Sequence, residues 1–148
     1  MADTVTTTYI YPPNWDGNPL DSPQWNLNPM KLIMNLTNYS DGSGESAVRK
    51  LILADLKSNN NAAITRTSIT KIEYQLQGMG VKLEWDRDPN RLIALLNAGS
   101  DGGVSGVLHG PFVDYADTDG GTGDIVLTTL EHAQYDSYNI TLHIKLKE

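Results

Sequence analysis

Four aspartates lie among glycines in one short stretch of the chain, a composition that could bind a hard cation. They occupy residues 114–124, and the densest part reads Asp117-Thr118-Asp119-Gly120-Gly121-Thr122-Gly123-Asp124. Calcium needs several oxygen ligands from a tight turn, but this stretch lacks the closing glutamate of an EF-hand and is not repeated. We interpret it as a solvated acidic turn, with Asp117, Asp119 and Asp124 as a secondary calcium candidate. No other metal and no cofactor is expected.

The remaining titratable residues form no catalytic pattern. His109, His132 and His143 are not at metal-ligand spacing from one another or from a glutamate, and the chain has no cysteine. The sequence also lacks a Gly-x-Ser-x-Gly elbow, a phosphate-binding loop and a His-Glu-x-x-His motif. We therefore expect no catalytic residue and no enzymatic activity, and we interpret His143 as a solvated side chain on the polar face of the last strand.

Glu73 and Glu84 are a pair of carboxylates that neighbouring strands could bring together. Paired carboxylates hydrolyse glycosidic bonds only across a cleft. Each of these two has a lysine two residues before it, Lys71 and Lys82. Exposed ion pairs across neighbouring strands are the simpler expectation.

The composition is that of one acidic globular domain. The 148 residues carry a formal net charge of −7, and no apolar run is long enough to cross a bilayer. An acidic chain repels nucleic-acid phosphates, so we expect neither nucleic acid nor membrane as a partner. The first residues have no basic or apolar segment, which predicts a protein without a signal peptide that acts, or is assembled, where it is made.

Apolar and polar residues alternate along much of the chain, which predicts short strands with one buried face. In the clearest case Ile140, Leu142 and Ile144 alternate with Thr141 and His143. In total the pattern predicts seven or eight strands, at residues 4–11, 30–39, 69–77, 81–86, 91–96, 124–130 and 138–147, with a further candidate in 45–56.

Two turns and one long region complete this prediction. Residues 45–56 fit a helical stripe or a buried strand, and the preceding turn Asp41-Gly42-Ser43-Gly44 favours a hairpin and therefore a strand. A second hairpin is predicted at Gly78-Met79-Gly80, between two alternating segments. Residues 97–123 are rich in glycine and are interpreted as mostly irregular.

The N-terminal residues differ from the rest in composition. Five of the seven prolines and two of the three tryptophans lie in residues 12–29. This predicts an extended arm over residues 1–29 before a single domain over residues 30–148. Trp15 and Trp25 either cover the protein's own sheet or lie, with Tyr11, on a neighbouring subunit. The predicted fold is all-β, an antiparallel β-sandwich or jelly roll with an extended N-terminal arm.

Five sequence blocks follow one another in a distinctive order between about Met30 and Lys147. They are Asp41-Gly42-Ser43-Gly44-Glu45, Lys71-Ile72-Glu73-Tyr74, Val81-Lys82-Leu83-Glu84-Trp85-Asp86, residues 120–129 and residues 136–145. Together they resemble a group of small virion structural proteins of tailed bacteriophages that is frequent in marine phages. The arm before Met30 is not part of the resemblance.

The resemblance implies a virion structural protein, in first place a capsid decoration (cement) protein on the outside of the major capsid protein shell. In that role Tyr11, Trp15 and Trp25 are the expected partner-binding residues, because buried aromatic anchors dominate interfaces. A homo-oligomer, a trimer or a dimer, is expected as well. Two alternatives stay open: a neck, tail or fibre component of the virion, and a carbohydrate-binding β-sandwich module.

Overall fold

The computed structural model describes residues 3–11, 31–52, 66–87, 89–97, 103–113, 124–130 and 133–147. These residues form nine strands and no helix. The strands are β1 (Thr4–Tyr11), β2 (Lys31–Asp41), β3 (Val48–Leu51), β4 (Arg66–Gln77), β5 (Gly80–Trp85), β6 (Arg91–Leu96), β7 (Gly103–Val113), β8 (Ile125–Leu130) and β9 (Gln134–Lys147). They pair antiparallel in two sheets that form a sandwich-like arrangement, which confirms the predicted fold class.

The larger sheet has five strands in the order β1-β2-β9-β4-β7. β9 is its central strand: Ile140 lies opposite Leu36 on one side and Tyr74 on the other. Because side chains alternate along a strand, Ile140 and Leu142 face the second sheet and are fully buried. The polar residues between them face outward, so this sheet has one dry and one wet face, as the alternation predicts.

The smaller sheet has four strands in the order β3-β8-β5-β6. Leu83 on β5 lies opposite Leu127 on β8 and Ala94 on β6, and all three side chains are buried. These side chains and Trp85 belong to the smaller sheet's half of the core. Burial of each large apolar side chain contributes about 1.5–3 kcal/mol, and this burial is the main force that joins the two sheets.

A buried polar cluster, which we call the Glu45 cluster, also connects the sheets. The Glu45 Oε1 atom accepts hydrogen bonds from Tyr138 Oη at 2.6 Å and from Asn38 Nδ2 at 2.7 Å, both on the larger sheet. Its Oε2 atom lies 2.5 Å from Lys50 Nζ on β3. The Glu45 backbone is held by Thr129 on β8. Burial, followed by the hydrogen bond to Glu45, raises the pKa of Tyr138, so its hydroxyl stays a donor.

The predicted hairpin at Gly78–Gly80 is wrong, because β4 and β5 belong to different sheets. The chain crosses between the sheets through Gly78, whose φ of 83° favours glycine, and through buried Met79. Both strands have an apolar face, and placing one strand in each sheet lets these faces cover each other. The predicted cross-strand ion pairs are therefore wrong too: Glu73 and Glu84 each lie 3.6 Å from the lysine on their own strand.

Two other predictions need correction. The turn at Asp41–Gly44 also joins different sheets, so it makes no hairpin, although the predicted strand after it is confirmed as Val48–Leu51. The interpretation of residues 97–123 as irregular is wrong for Gly103–Val113, which form β7. Its glycines hide the alternation, and Gly110 is needed because a Cβ there would clash with the backbone oxygen of Ile69 on the paired strand.

Part of the predicted arm is a strand of the domain itself. Thr4–Tyr11 form β1 at the edge of the larger sheet, with Thr4 opposite Tyr39 and Tyr11 opposite Ile33. The prediction of an extended segment is confirmed for these residues. The remainder of the arm, residues 12–29, lies outside the described residues.

Candidate functional site

The outward side of the larger sheet presents a polar surface, which we call the polar face. Strand register brings its side chains into rows that run across β2, β9, β4 and β7. One row contains Asn35, Thr141, Glu73 and Val107, and the next contains Thr37, Asn139, Gln75 and Ser105. Amide, hydroxyl and carboxylate groups predominate, so this surface can both donate and accept hydrogen bonds.

A hollow of about 360 Å³ lies in the polar face across β9, β4 and β7. Its volume is within the range of small-molecule sites, roughly 300–1,000 Å³. The side chains that surround it come from neighbouring rows and include Glu73, Gln75, Ser105, Val107, Asn139 and Thr141. The hollow is an open depression, so it suits a ligand that binds across the sheet surface.

Hydrogen bonds within the polar face hold part of this hollow in place. Asn35 Nδ2 donates to Asn139 Oδ1 at 2.6 Å and to Thr141 Oγ1 at 3.1 Å. The carbonyl oxygen of the Asn139 amide is therefore occupied. This hydrogen bond helps to fix the position of Asn139 at the wall of the hollow.

Glu73 supplies the negative charge of the hollow. Its Oε1 atom lies 2.6 Å from His143 Nε2 and 3.6 Å from Lys71 Nζ. The hydrogen bond with His143, with a smaller electrostatic contribution from Lys71, lowers the pKa of Glu73, so its carboxylate stays ionised at neutral pH. His143 is thus on the polar face, as predicted, but it is paired with a carboxylate and is not simply solvated.

An exposed aromatic pair lies on the larger sheet near the hollow. The rings of Tyr39 on β2 and Tyr135 on β9 have centroids 6.2 Å apart with their planes at 54°, and the side chains are 55% and 64% exposed. Tyr135 lies in an irregular part of the β2–β9 register with φ of 75°, a left-handed conformation that is rare for a bulky residue. Bulges of this kind redirect side chains and are frequent beside functional sites.

The other exposed large apolar side chains follow the margins of the sandwich. Apart from the two tyrosines, those found among the described residues lie on or directly beside the edge strands β1, β3, β6 and β7. We call them the apolar edges: Val5, Ile10, Val48, Ile52, Leu92, Leu95 and Val107. Edge strands also present unpaired backbone groups, so apolar edges are a natural place for another chain to bind.

The residues singled out from the sequence lie elsewhere or are not described. Asp124 is buried, and its Oδ2 atom lies 3.2 Å from Arg49 Nε; Asp117 and Asp119 lie outside the described residues. Tyr11 is the last residue of β1. Trp15 and Trp25, like Asp117 and Asp119, lie outside the described residues. The described residues contain no cluster of histidines and acidic residues that could hold a metal ion. No helix within them could span a membrane.

Sequence reasoning missed the hollow and the aromatic pair. The alternation does place Asn139, Thr141 and His143 on one wet face, but it does not reveal which strands lie beside that face. Gln75 and Ser105 join it only through the pairing of β4 with β9 and β7. A sequence signal existed for the hollow, namely the density of Asn, Gln, Ser and Thr at outward positions.

Comparisons with known proteins leave the family of this chain open. No family model and no curated protein matches it. Among solved structures, one described as "CBM4 structure and function" is similar at 9% sequence identity, with 79% of this chain and 84% of that chain covered and a TM-score of 0.25. A similarity at that TM-score supports no argument about function.

Proposed function

We propose that this chain is a virion structural protein of a tailed bacteriophage, and in first place a decoration protein that binds the outside of the capsid and stabilises it. The observation that carries the proposal is the concentration of exposed apolar side chains on the edge strands. Edge strands also present unpaired backbone groups, so a protein that is assembled beside other chains can bury these side chains and pair these strands at the same time.

The sequence resemblance to phage virion proteins supports the same role. Four of the five blocks that carry it lie largely on β4, β5, β8 and β9, which are four of the five inner strands of the two sheets. The fifth block ends at Glu45, which connects the sheets. The blocks therefore lie largely on strands that contribute to the core, and the residues of the apolar edges lie outside the blocks.

The physical advantage of such a protein comes from repetition. A shell offers the same surface many times, so even modest affinity per site stabilises it through mass action, and an oligomer adds avidity. A net charge of −7 keeps the free protein soluble until it is bound. The expected partner is the major capsid protein, and the expected place is the outer surface of the virion.

Two other roles remain candidates. A neck, tail or fibre position needs the same apolar edges and differs mainly in copy number per particle. A free carbohydrate-binding module is favoured by a separate observation, the hollow in the polar face. Binding of glycan by the isolated protein, together with absence from particles, would favour that module.

The proposal is tested by adding purified protein to phage particles that lack it. We expect the protein to sediment with the particles and to raise the temperature at which they release DNA. The variant Leu92→Ser/Leu95→Ser, which changes two leucines exposed by 55% and 47% on β6, should bind at least about tenfold more weakly.

Gln77→Ser is the matched control, because it changes an exposed side chain on the inner strand β4 and should leave particle binding unchanged. A second pair of variants, Trp15→Ala and Trp25→Ala, tests the N-terminal anchors separately. Failure of the wild-type protein to bind any particle component would contradict the proposal. Equal binding by wild type and the leucine variant would contradict the role of the β6 edge.

A further inference from the structure

We infer that the polar face is a second binding site, in which the hollow and the tyrosine pair together bind a neutral oligosaccharide. This inference concerns the outward side of the larger sheet, which shares Val107 with the apolar edges, and it does not depend on the virion assignment. The free protein would bind the sugar whether or not it is part of a particle.

The chemistry of the hollow matches sugar hydroxyl groups. Gln75, Asn139, Ser105 and Thr141 offer amide and hydroxyl groups that donate and accept, which is what a hydroxyl needs from its partners. The Glu73 carboxylate adds a charged acceptor, and hydrogen bonds to a charged acceptor are the stronger ones. A small number of oriented polar groups is typical of a specific small-molecule site.

The same residues argue against other ligands. Glu73 is the charged side chain that lines the hollow, and its partners His143 and Lys71 do not line it. Phosphate, nucleotides and acidic sugars therefore find no cationic side chain among the residues that line the hollow. A lipid or an apolar peptide would need a dry surface, but apart from Val107 and the Tyr74 ring the side chains that line the hollow are polar. A neutral, hydroxyl-rich ligand remains.

The tyrosine pair supplies the surface on which a sugar ring can stack. Tyr39 lies opposite Ser137, two residues along β9 from Asn139, so the two backbone positions are separated by roughly 8 Å given strand rise and spacing. Tyrosine presents an apolar ring face and a polar hydroxyl, which suits one face of a pyranose and its rim of hydroxyls. Tyr135 has a left-handed backbone conformation within the turn that the Asp136 N to Ala133 O hydrogen bond closes at 3.1 Å, and its ring lies beside that of Tyr39.

The extent of the site indicates a short chain of sugars. From Tyr39 on β2 to Ser105 on β7 the surface crosses β9 and β4, a distance of about 14 Å at the usual spacing between strands. A single sugar would reach either the tyrosines or the hollow. A linear oligosaccharide that lies across the strands can contact both.

The test is a titration of the full-length protein with four neutral probes: cellohexaose, laminarihexaose, xylohexaose and maltohexaose. Binding is followed by amide chemical shifts in NMR spectra. We expect at least one probe to bind with a dissociation constant in the micromolar to millimolar range, with the shifts concentrated at residues 73–75, 105–107 and 137–141. Gln75→Ala and Asn139→Ala should each weaken binding about three- to tenfold, the usual effect of one lost hydrogen bond.

Tyr39→Ala should weaken binding by about tenfold, whereas Tyr39→Phe, which keeps the ring, should bind within about threefold of wild type. Arg91→Ala, on the opposite sheet, is the control and should change nothing. The inference is overturned if no probe shifts the polar face at millimolar concentration, or if the Tyr39, Gln75 and Asn139 variants bind as well as wild type. Either outcome leaves the particle-binding experiment, and hence the virion proposal, standing.

Discussion

The inner and the edge strands of this sandwich carry opposite kinds of surface. On β9, at the centre of the larger sheet, Ile140 and Leu142 are fully buried, and the inner strands hold the sequence blocks that resemble phage proteins. On β6, at an edge of the smaller sheet, Leu92 and Leu95 are about half exposed. This comparison indicates that the inner strands provide stability, whereas the edge strands have exposed apolar side chains that a partner could bury.

The largest effect on folding is expected at the centre of the larger sheet. Leu142→Ala should lower the free energy of unfolding by about 2–5 kcal/mol, because it removes buried methyl groups and leaves a cavity between the sheets. Urea denaturation of the isolated protein measures this. A decrease in the free energy of unfolding of less than about 1 kcal/mol would contradict the proposed difference between the central and the edge strands.

A smaller effect is expected from the Glu45 cluster. Tyr138→Phe should cost about 1–2 kcal/mol, since it removes a hydrogen-bond donor from a buried carboxylate that keeps Asn38 and Lys50 as partners. Thermal unfolding of wild type and variant at neutral pH measures the difference. An unchanged melting temperature would mean that the Tyr138–Glu45 hydrogen bond contributes nothing to the connection between the two sheets.

Acid should loosen the attachment of the β1 edge. Burial alone would raise the pKa of Asp3, but hydrogen bonds from Asn38 Nδ2 and the Asp41 backbone outweigh it and hold that pKa at about 2, below the ordinary 3.8. A lowered pKa means that this stabilisation is present above about pH 4 and is lost as the pH falls towards 2. The Asp3→Asn variant should have a lower melting temperature than wild type at pH 7. When the melting temperature is plotted against pH, the curves of variant and wild type should converge near pH 2. Parallel curves at all pH values would exclude Asp3 as the cause.

The smallest effect on folding is expected at the β6 edge. Leu95→Ala should change the free energy of unfolding by less than about 0.5 kcal/mol, because the side chain is 47% exposed and few of its contacts are lost. The same urea denaturation series measures it beside Leu142→Ala. A loss as large as that of Leu142→Ala would show that the Leu95 side chain is itself part of the core and is not available to a partner.

Much of the fold could be predicted from the sequence, for a local reason. Alternation such as that of Ile140, Leu142 and Ile144 depends only on the strand itself, so β9 and most other strands were found. The two predicted hairpins were wrong because the choice between pairing a neighbour and joining the opposite sheet depends on how two apolar faces cover each other. β7 was missed because glycines such as Gly106 conceal its alternation.

The candidate sites were harder to predict, because they depend on strand order and register. Gln75, Ser105 and Asn139 are far apart in sequence and meet only in the larger sheet. The tyrosine pair depends on the irregular register of β2 and β9 near Tyr135, which no sequence pattern predicts. The sequence pattern instead indicates Trp15 and Trp25 as partner-binding residues, and this stays a prediction.

The central claim, that this chain is a virion structural protein and in first place a capsid decoration protein, is tested most directly by its copy number in purified phage particles. Quantitative mass spectrometry against the major capsid protein gives this number. The account predicts hundreds of copies per particle, in a fixed ratio to the major capsid protein. A few tens of copies or fewer would contradict decoration and indicate a neck, tail or fibre position, and absence from particles would contradict the virion assignment altogether.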